Sequence, residues 1–592
     1  MISESNIRDL VARLPECYQP IFNFPHLDEA VSRQCDDRLV AIRSALETLV
    51  QHYGRPLRVL DLGCAQGFFS LSVADLCESV LGIDFLAANI DVCNAARDAA
   101  DLPHVRFEKG EVGEVINKLQ ARQFDVVLGL SVFHHLCHTQ GWPSVAALLK
   151  RLASTVDVLL LELADAREPL YWAQSLPADA VELVRDIGFI YPLGVFPTHL
   201  GDVERSLYFC SDRLWCLGSN VQRFDQWMEQ SHEFAGSIHQ GTRRYFFSQD
   251  LVAKTIRFAG VLANHNRREF ANEENFFVKL APRLAGSMST LEMKSIGSTR
   301  DFGHVVTSRL PGRTLAELLV KGADFDEALI LRQVLGQLVQ LEAQSLYHRD
   351  VRVWNVLVDN ACNARLLDPA AISELPGDDV WPYDVYASFL IFVGEVTSKA
   401  VPRVHLFRRP TLSSAWLKEP YRSWFDAIWA QSHREWSFAG FQALFEATLN
   451  GAATPGITQI HADNWALWRA VSERLLSDAS DAFQLHRDAI AARATREELQ
   501  SAERDSPASV TKADGELAGL WRKLANAEPR PVAFVQREQE LVQIRETLER
   551  TLAELASQRS EIASLRQSSS WRVTAPLRTV GELLRRAIGI LR

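Results

Sequence analysis

Long apolar runs are missing from this sequence. Stretches such as Val158-Leu-Leu-Leu161 and Phe389-Leu-Ile-Phe-Val393 fall far short of the roughly 20 residues that a membrane-spanning helix needs. The first residues, Met1-Ile-Ser-Glu-Ser5, lack the basic start and apolar core of a secretory signal. Cysteine is sparse, nine in 592 residues. An odd count without a C-x-x-C pair reads as reduced thiols rather than a disulfide framework. Positive charge is in deficit: a formal net charge of −11 excludes nucleic-acid binding as the task of the whole chain and leaves any basic surface local. These absences predict a cytoplasmic protein with no nucleic-acid partner and only peripheral membrane contact.

What is present is the chemistry of a transferase. The chain is too long for one core, so three or four units are expected, and 47% apolar with 23% charged residues is the make-up of ordinary soluble domains. The stretch His348-Arg349-Asp350-Val351-Arg352-Val353-Trp354-Asn355 reads H-R-D-x-x-x-x-N, and Asp368 follows the apolar pair Leu366-Leu367. Phosphoryl transfer needs a carboxylate to orient an attacking hydroxyl and take its proton. Beside it stand an amide oxygen and a second carboxylate that hold Mg²⁺ on ATP phosphates. Asp350, Asn355 and Asp368 supply these parts; the competing reading is a loop of solvated charges between two strands.

Earlier in the chain, Leu57-Arg-Val-Leu-Asp61-Leu-Gly63-Cys-Ala-Gln-Gly67 is an apolar strand entering a glycine turn. Gly63 and Gly67 let backbone pass close to a nucleoside. A second strand ends at Asp84, placed to accept both ribose hydroxyls. The spacing lacks G-x-G-x-x-G, which argues against an NAD site. The order resembles the class I S-adenosylmethionine-dependent methyltransferases. That resemblance makes Asp61 to Gly67 their first motif, Asp84 the ribose acid and Glu111 the acid near adenine, with Asp125 to His135 facing the methyl acceptor. Ala65, often Gly in that family, asks only for a roomier turn. His134, His135, Cys137 and His138 crowd too closely to converge on zinc. His135 is read as lining the acceptor pocket, or equally as a histidine packed at a strand end. Tyr18 and Arg38 are expected to cover the cofactor, the arginine pairing with its carboxylate; a surface aromatic and a surface arginine are the alternatives.

Lys254 lies in the apolar strand Asp250-Leu-Val-Ala-Lys-Thr-Ile256, where a lone cation needs an anionic partner. Glu273, with Glu274 second, provides one from the following helix. Val305 to Leu319 reads as a hinge entering a C-terminal lobe. The stretch resembles the protein-kinase-like fold, which makes Asp350 the base, Arg352 a phosphate contact, Asn355 and Asp368 the magnesium ligands, Lys254 the phosphate clamp and Asp384 a support for the catalytic loop. No glycine-rich loop precedes Lys254, so Arg243 or Arg244 is expected to substitute charge for backbone amides. Pro369-Ala370 stands where Phe-Gly is usual, and fifteen residues separate Asp368 from Asp384, too few for a peptide-substrate platform. The acceptor is then a small molecule or a sugar.

Beyond Pro507, Pro529 and Pro531, residues 534–567 contain neither Gly nor Pro. Leu541, Leu548, Leu555 and Ile562 recur every seven residues, with Ile544 and Leu565 three residues beyond the first and the last, the seam of a coiled coil. Self-association, as a trimer, is the expectation, and one helix packed on its own domains the alternative. From Trp571 to Arg592 a basic amphipathic helix suits an anionic membrane surface or a partner protein.

The expected architecture is α/β: methyltransferase 1–210, Rossmann-like; bilobal kinase-like domain 211–483; helical linker 484–533; coiled coil 534–568; tail 569–592. As a whole the chain resembles the bifunctional O-antigen chain terminators of Gram-negative bacteria, the WbdD type. The resemblance implies S-adenosylmethionine, ATP and Mg²⁺ as cofactors and a lipid-linked polymannose as acceptor. It also implies a membrane-bound mannosyltransferase as partner and a place on the inner face of the inner membrane. There the terminal sugar is phosphorylated and the phosphate methylated. Alternatives are a terminator that only methylates, two enzymes of unrelated small metabolites, and a scaffold without catalysis.

Overall fold

The computed structural model of the protein describes residues 4–198, 201–230, 239, 241–284, 291–377, 384–399, 414–451, 460–474, 476, 477 and 480. The expected linker, coiled coil and basic tail lie outside the described residues. Met1–Ser472 is one compact unit.

The first half is built on β1 (Leu57–Leu62), β2 (Cys77–Asp84), β3 (Val105–Lys109), β4 (Val126–Leu130), β5 (Val158–Leu163), β6 (Phe189–Thr198) and β7 (Gly201–Ser211). Their order is β3-β2-β1-β4-β5-β7-β6. The first five are parallel, and β7 runs antiparallel between β5 and β6. Val126–Leu130 and Val158–Leu163 are buried at every position, as strands covered on both faces must be. The order reverses between β1 and β4, and a crevice opens at the carboxyl ends of strands at such a switch point.

A hairpin of β8 (Leu214–Leu217) and β9 (Asn220–Arg223) leads into a second sheet. This contains β10 (Gln226–Met228), β11 (Arg243–Phe247), β12 (Leu251–Arg257), β13 (Met293–Ser298) and β14 (Phe302–Ser308), ordered β10-β11-β12-β14-β13. Strand alternation gives this sheet two occupations. One face carries Phe246, Ala253 and Val306 into the same apolar core as Leu57, Phe189 and Phe209. Phe246 meets Phe189 and Phe224 with ring centres 5.2 Å apart in both cases. Tyr191 Oη lies 2.8 Å from His304 Nδ1, and Arg244 donates to the carbonyl oxygens of Ile187 and Gly188. The other face carries Lys254 and its register partner Tyr245. One continuous core therefore joins the two catalytic halves.

The second lobe is helical. Helices Glu327–Glu342, Val385–Thr397, Tyr421–Trp429 and Phe438–Leu449 enclose Phe389, Trp424, Phe441 and Phe445. Among the described residues no helix is long and apolar enough to cross a membrane.

Because the core is shared, the halves are expected to unfold together. Phe246→Ala should cost about 3–5 kcal/mol and lower one calorimetric transition. That transition should rise on adding either S-adenosylhomocysteine or an ATP analogue. Two transitions, each moved by one ligand, would refute the shared core.

Candidate functional site

At the switch point the chain turns out of β1 through Gly63, φ 74°, and Gly67, φ 77°. A Cβ on Gly63 would stand 2.9 Å from Val132, and one on Gly67 3.0 Å from Cys93 and Phe107. Both glycines therefore serve backbone shape and close packing. Ala65 takes φ 47°, a conformation that L residues adopt at a cost, so the strain of carrying a side chain there falls on its backbone. Asp61 is buried and accepts from Ser70 Oγ at 2.6 Å. Burial pushes its carboxyl up to about 7. Asp84 accepts from Ala65 N at 3.0 Å, Leu86 N at 2.9 Å and Asn89 Nδ2 at 3.1 Å, which fixes the turn that ends β2. Glu111 is exposed just before the helix Val112–Lys118.

Tyr18 closes over this turn. Gln66 Oε1 accepts from Tyr18 N at 3.1 Å and Gln19 N at 2.9 Å, clamping the N-terminal segment across the first motif. Arg38 is buried rather than superficial. Its Nη1 lies 3.2 Å from Glu162, its Nη2 donates to Gln34 O at 2.9 Å, and its guanidinium sits over the Phe69 ring. Glu162 also takes a forked pair from Arg33, at 3.0 and 2.6 Å. Burial would raise this carboxyl, but Arg38 and Arg33 hold it below the usual range. Arg33, Glu162, Arg205 and Glu168 did not emerge from sequence reading, and Ser131 entered it only as part of the segment expected to face the acceptor. The available signal was Glu162 itself, a lone acid in the otherwise apolar strand Val158-Leu-Leu-Leu-Glu-Leu163.

The histidine cluster divides by burial, although the His134 and His135 rings stay 4.1 Å apart. His134 packs on Trp172, ring centres 4.4 Å apart, and Cys137 is in the core. His135 and His138 are exposed, His135 Nδ1 lying 3.0 Å from Tyr171 Oη. Burial, with His135, Arg205 and Arg33 adding positive field, pushes His134 down to about 2, so it is neutral at any working pH.

In the second site Lys254 Nζ meets Glu273 Oε2 at 2.6 Å, while Glu274 is exposed. Burial would lower this ammonium, but Glu273 outweighs it and keeps the lysine charged. Of the two arginines proposed to replace a glycine loop, alternation selects Arg243. It pairs with Glu269 and contributes to the field at Lys254 and Asp368. Arg244 faces the methyltransferase half instead.

The catalytic segment is anchored by its own histidine and arginine. His348 Nε2 lies 2.6 Å from Leu367 O, and Arg349 donates through N to Ala371 O at 2.9 Å and through Nε to Gly377 O at 2.8 Å. Asn355 Nδ2 donates to Asp350 Oδ2 at 2.6 Å and to Asp350 O at 2.9 Å, leaving its Oδ1 for another partner. Arg352 Nε is 3.2 Å from Asp350 Oδ1. Asp368 takes φ 61°, and its buried carboxylate lies in the field of Lys254, Asp350 and Glu273. Desolvation, with Asp350 and Glu273 adding negative field against Lys254, pushes it up to about 6. Asp384 caps its own helix, Oδ1 accepting from Ala387 N at 2.8 Å. Gly312, φ 133°, crosses so close to β-strand residue Val358 that a Cβ would lie 2.5 Å from its carbonyl oxygen.

Among the described residues no three acidic, histidine or cysteine side chains gather as a metal cage. One amide oxygen and one carboxylate suit a magnesium ion that arrives on nucleotide phosphates and keeps its remaining ligands from them and from water.

Comparison with known proteins agrees with both halves. The family described as "Methyltransferase domain" matches residues 59–155. The O-antigen chain terminator bifunctional methyltransferase/kinase WbdD of Escherichia coli is 35% identical over 546 residues, covering 91% of this chain and 73% of that protein. A crystal structure of WbdD superposes with a TM-score of 0.67 at 34% identity, covering 79% of this chain and 100% of that one. A low-resolution WbdD structure with its C-terminal bundle ordered to residue 505 gives 0.75 at 34% identity, covering 84% of this chain and 99% of that one. Two transferase sites on one shared core, matched over nine-tenths of the chain, place this protein in the family of O-antigen chain terminator bifunctional methyltransferase/kinases.

Proposed function

We propose that the chain ends a lipid-linked polymannose by phosphorylating its terminal sugar from ATP and methylating that phosphate from S-adenosylmethionine. The observation carrying this reading is the Asp350, Asn355 and Asp368 cluster beside the Lys254–Glu273 pair. Asp350 orients the sugar hydroxyl and takes its proton, held in place by the Asn355 amide and Arg352. Lys254 and Arg243 bind ATP phosphates. Asn355 Oδ1 and Asp368 hold Mg²⁺, which neutralises charge on the transferred group.

In the other half, Asp84 binds the ribose of S-adenosylmethionine, Glu111 stands at the adenine, and Gly63 and Gly67 let the backbone approach. Asp61 supports that turn from beneath. Tyr18 covers the cofactor, and Arg38 holds its carboxylate. Arg38 Nε has no hydrogen-bond partner among the described residues, the Asp37 carboxylate lying 3.8 Å away, so an acceptor from the cofactor has a place there. His135 and Tyr171 border the acceptor entrance. No base is required, since a phosphate oxygen is already nucleophilic near neutral pH.

The boundaries 1–210, 211–483, 484–533, 534–568 and 569–592 remain the proposed division. The heptads assemble the chain as a trimer, in line with the C-terminal bundle named for the relative. The tail seats it on the inner face of the inner membrane, beside the polymerase.

Incubating the protein with labelled ATP, labelled S-adenosylmethionine and short synthetic mannans tests the order of steps. Methyl transfer should depend on prior phosphorylation, and methylation of untreated mannan would defeat that order. Asp350→Asn should lower phosphate incorporation by about 10²–10⁴-fold while S-adenosylhomocysteine binding, followed calorimetrically, stays as in wild type.

Asp368 has a folded carboxyl raised to about 6, so the metal-free cleft carries a proton below that pH and loses it above. Metal needs the ionised form. MgATP affinity is therefore expected to fall as pH drops through about 6, with proton release on binding near that pH. Titrations in two buffers of different ionisation enthalpy would measure it; a flat affinity from pH 5 to 8 contradicts the assignment. Removing residues 571–592 should shift the protein from membrane to soluble fractions in cells without changing either transfer.

A further inference from the structure

Ser131 follows β4 and stands at φ 60°, a left-handed conformation more usual for glycine. Its hydroxyl sits between two guanidiniums: Arg33 Nη1 and Arg205 Nη1 each donate to Ser131 Oγ at 3.0 Å, while that hydroxyl donates to Glu162. The arginines come from opposite ends of the methyltransferase half and are held rigidly. Arg33 is forked onto Glu162, and Arg205 onto Glu168 at 2.7 and 2.5 Å. His134 flanks them, more than nine-tenths buried, with Nδ1 lacking a partner among the described residues.

Three guanidiniums, Arg33, Arg38 and Arg205, meet two buried carboxylates, Glu162 and Glu168, and Arg38 Nε also lies 3.8 Å from the exposed carboxylate of Asp37. S-adenosylmethionine adds a sulfonium and an ammonium against one carboxylate, a net positive charge beside these guanidiniums. Bringing that charge into a buried crevice is costly unless an anion enters with it. A phosphate monoester is such an anion, and arginine donors match its oxygens. A neutral sugar hydroxyl would leave the added charge unmatched.

We propose that Arg33 and Arg205, around Ser131, form the subsite that receives the phosphate monoester and selects it over an unmodified sugar. This rests on the reading that the methyl acceptor is a phosphate. One phosphate oxygen attacks the methyl carbon as the carbon–sulfur bond breaks. The electron pair returns to sulfur, giving neutral S-adenosylhomocysteine. The dianionic monoester becomes a monoanionic methyl diester, and no proton moves. The product has lost one of the two charges that bound it, which favours its release.

The test uses the full-length protein with phosphorylated mannan, prepared with the wild-type kinase activity, as acceptor. Arg205→Lys and Arg33→Lys keep the charge but lose the fork. Each should raise the acceptor KM on the order of ten- to a hundredfold, with S-adenosylhomocysteine affinity unchanged within about twofold. Inorganic phosphate should inhibit wild-type methyl transfer competitively against the acceptor, and more weakly in both variants. An unchanged acceptor KM, or absence of phosphate competition in wild type, overturns the assignment. So does loss of S-adenosylhomocysteine binding in parallel with acceptor affinity, because the arginines would then belong to the cofactor site or the scaffold. A wild-type protein that methylates no phosphorylated glycan instead removes the reading beneath it. Normal wild-type methylation with undisturbed variants removes the subsite alone.

Discussion

The packing of Phe246 against Phe189 and Phe224 makes one folded body of two enzymes. A kinase-like sheet needs a floor for the face that does not bind nucleotide, and here the methyltransferase sheet is that floor. The polar contacts around the seam complete it: Arg244 satisfies carbonyls left open near Gly188, and Tyr191 meets His304. Burying such groups without partners would be costly, so the seam is specific in register as well as apolar. Everything on the nucleotide face inherits its position from this contact, because Lys254 shares a strand with Ala253, one residue apart and on the opposite side.

The two sites use charge in contrasting ways. The cleft around Asp350 and Asp368 gathers negative charge, and Asp368 is raised by burial and then by the neighbouring Asp350 and Glu273. The crevice around Ser131 gathers positive charge, and His134 is lowered by it after burial has done most of the work. One site is lined by carboxylates with a single lysine among them, the other by guanidiniums held on carboxylates.

Much of this was legible in the sequence, and the reasons are local. The H-R-D-x-x-x-x-N segment and the glycine turn at 63–67 are contiguous, so their chemistry can be read from spacing alone. Glu273 was separable from Glu274 only as a preference, and helix phase decides it: one is buried on Lys254, the other exposed. Arg243 and Arg244 could not be told apart before the pleat of their strand was known. The nest of Arg33, Glu162 and Arg205 was illegible because its members lie on distant parts of the chain and only the fold brings them together. Arg38 was recognised as important but expected near a surface lid, whereas its guanidinium is enclosed beside Glu162.

Only fifteen residues lie between Asp368 and Asp384, which leaves the phosphate-transferring cleft without the length of chain from which kinases fashion a latch. An enzyme of this design is armed whenever nucleotide is at hand. The decision to stop a growing polymer then belongs to geometry and chance encounter: how often a loose sugar end wanders within reach, set against how quickly the next unit is added.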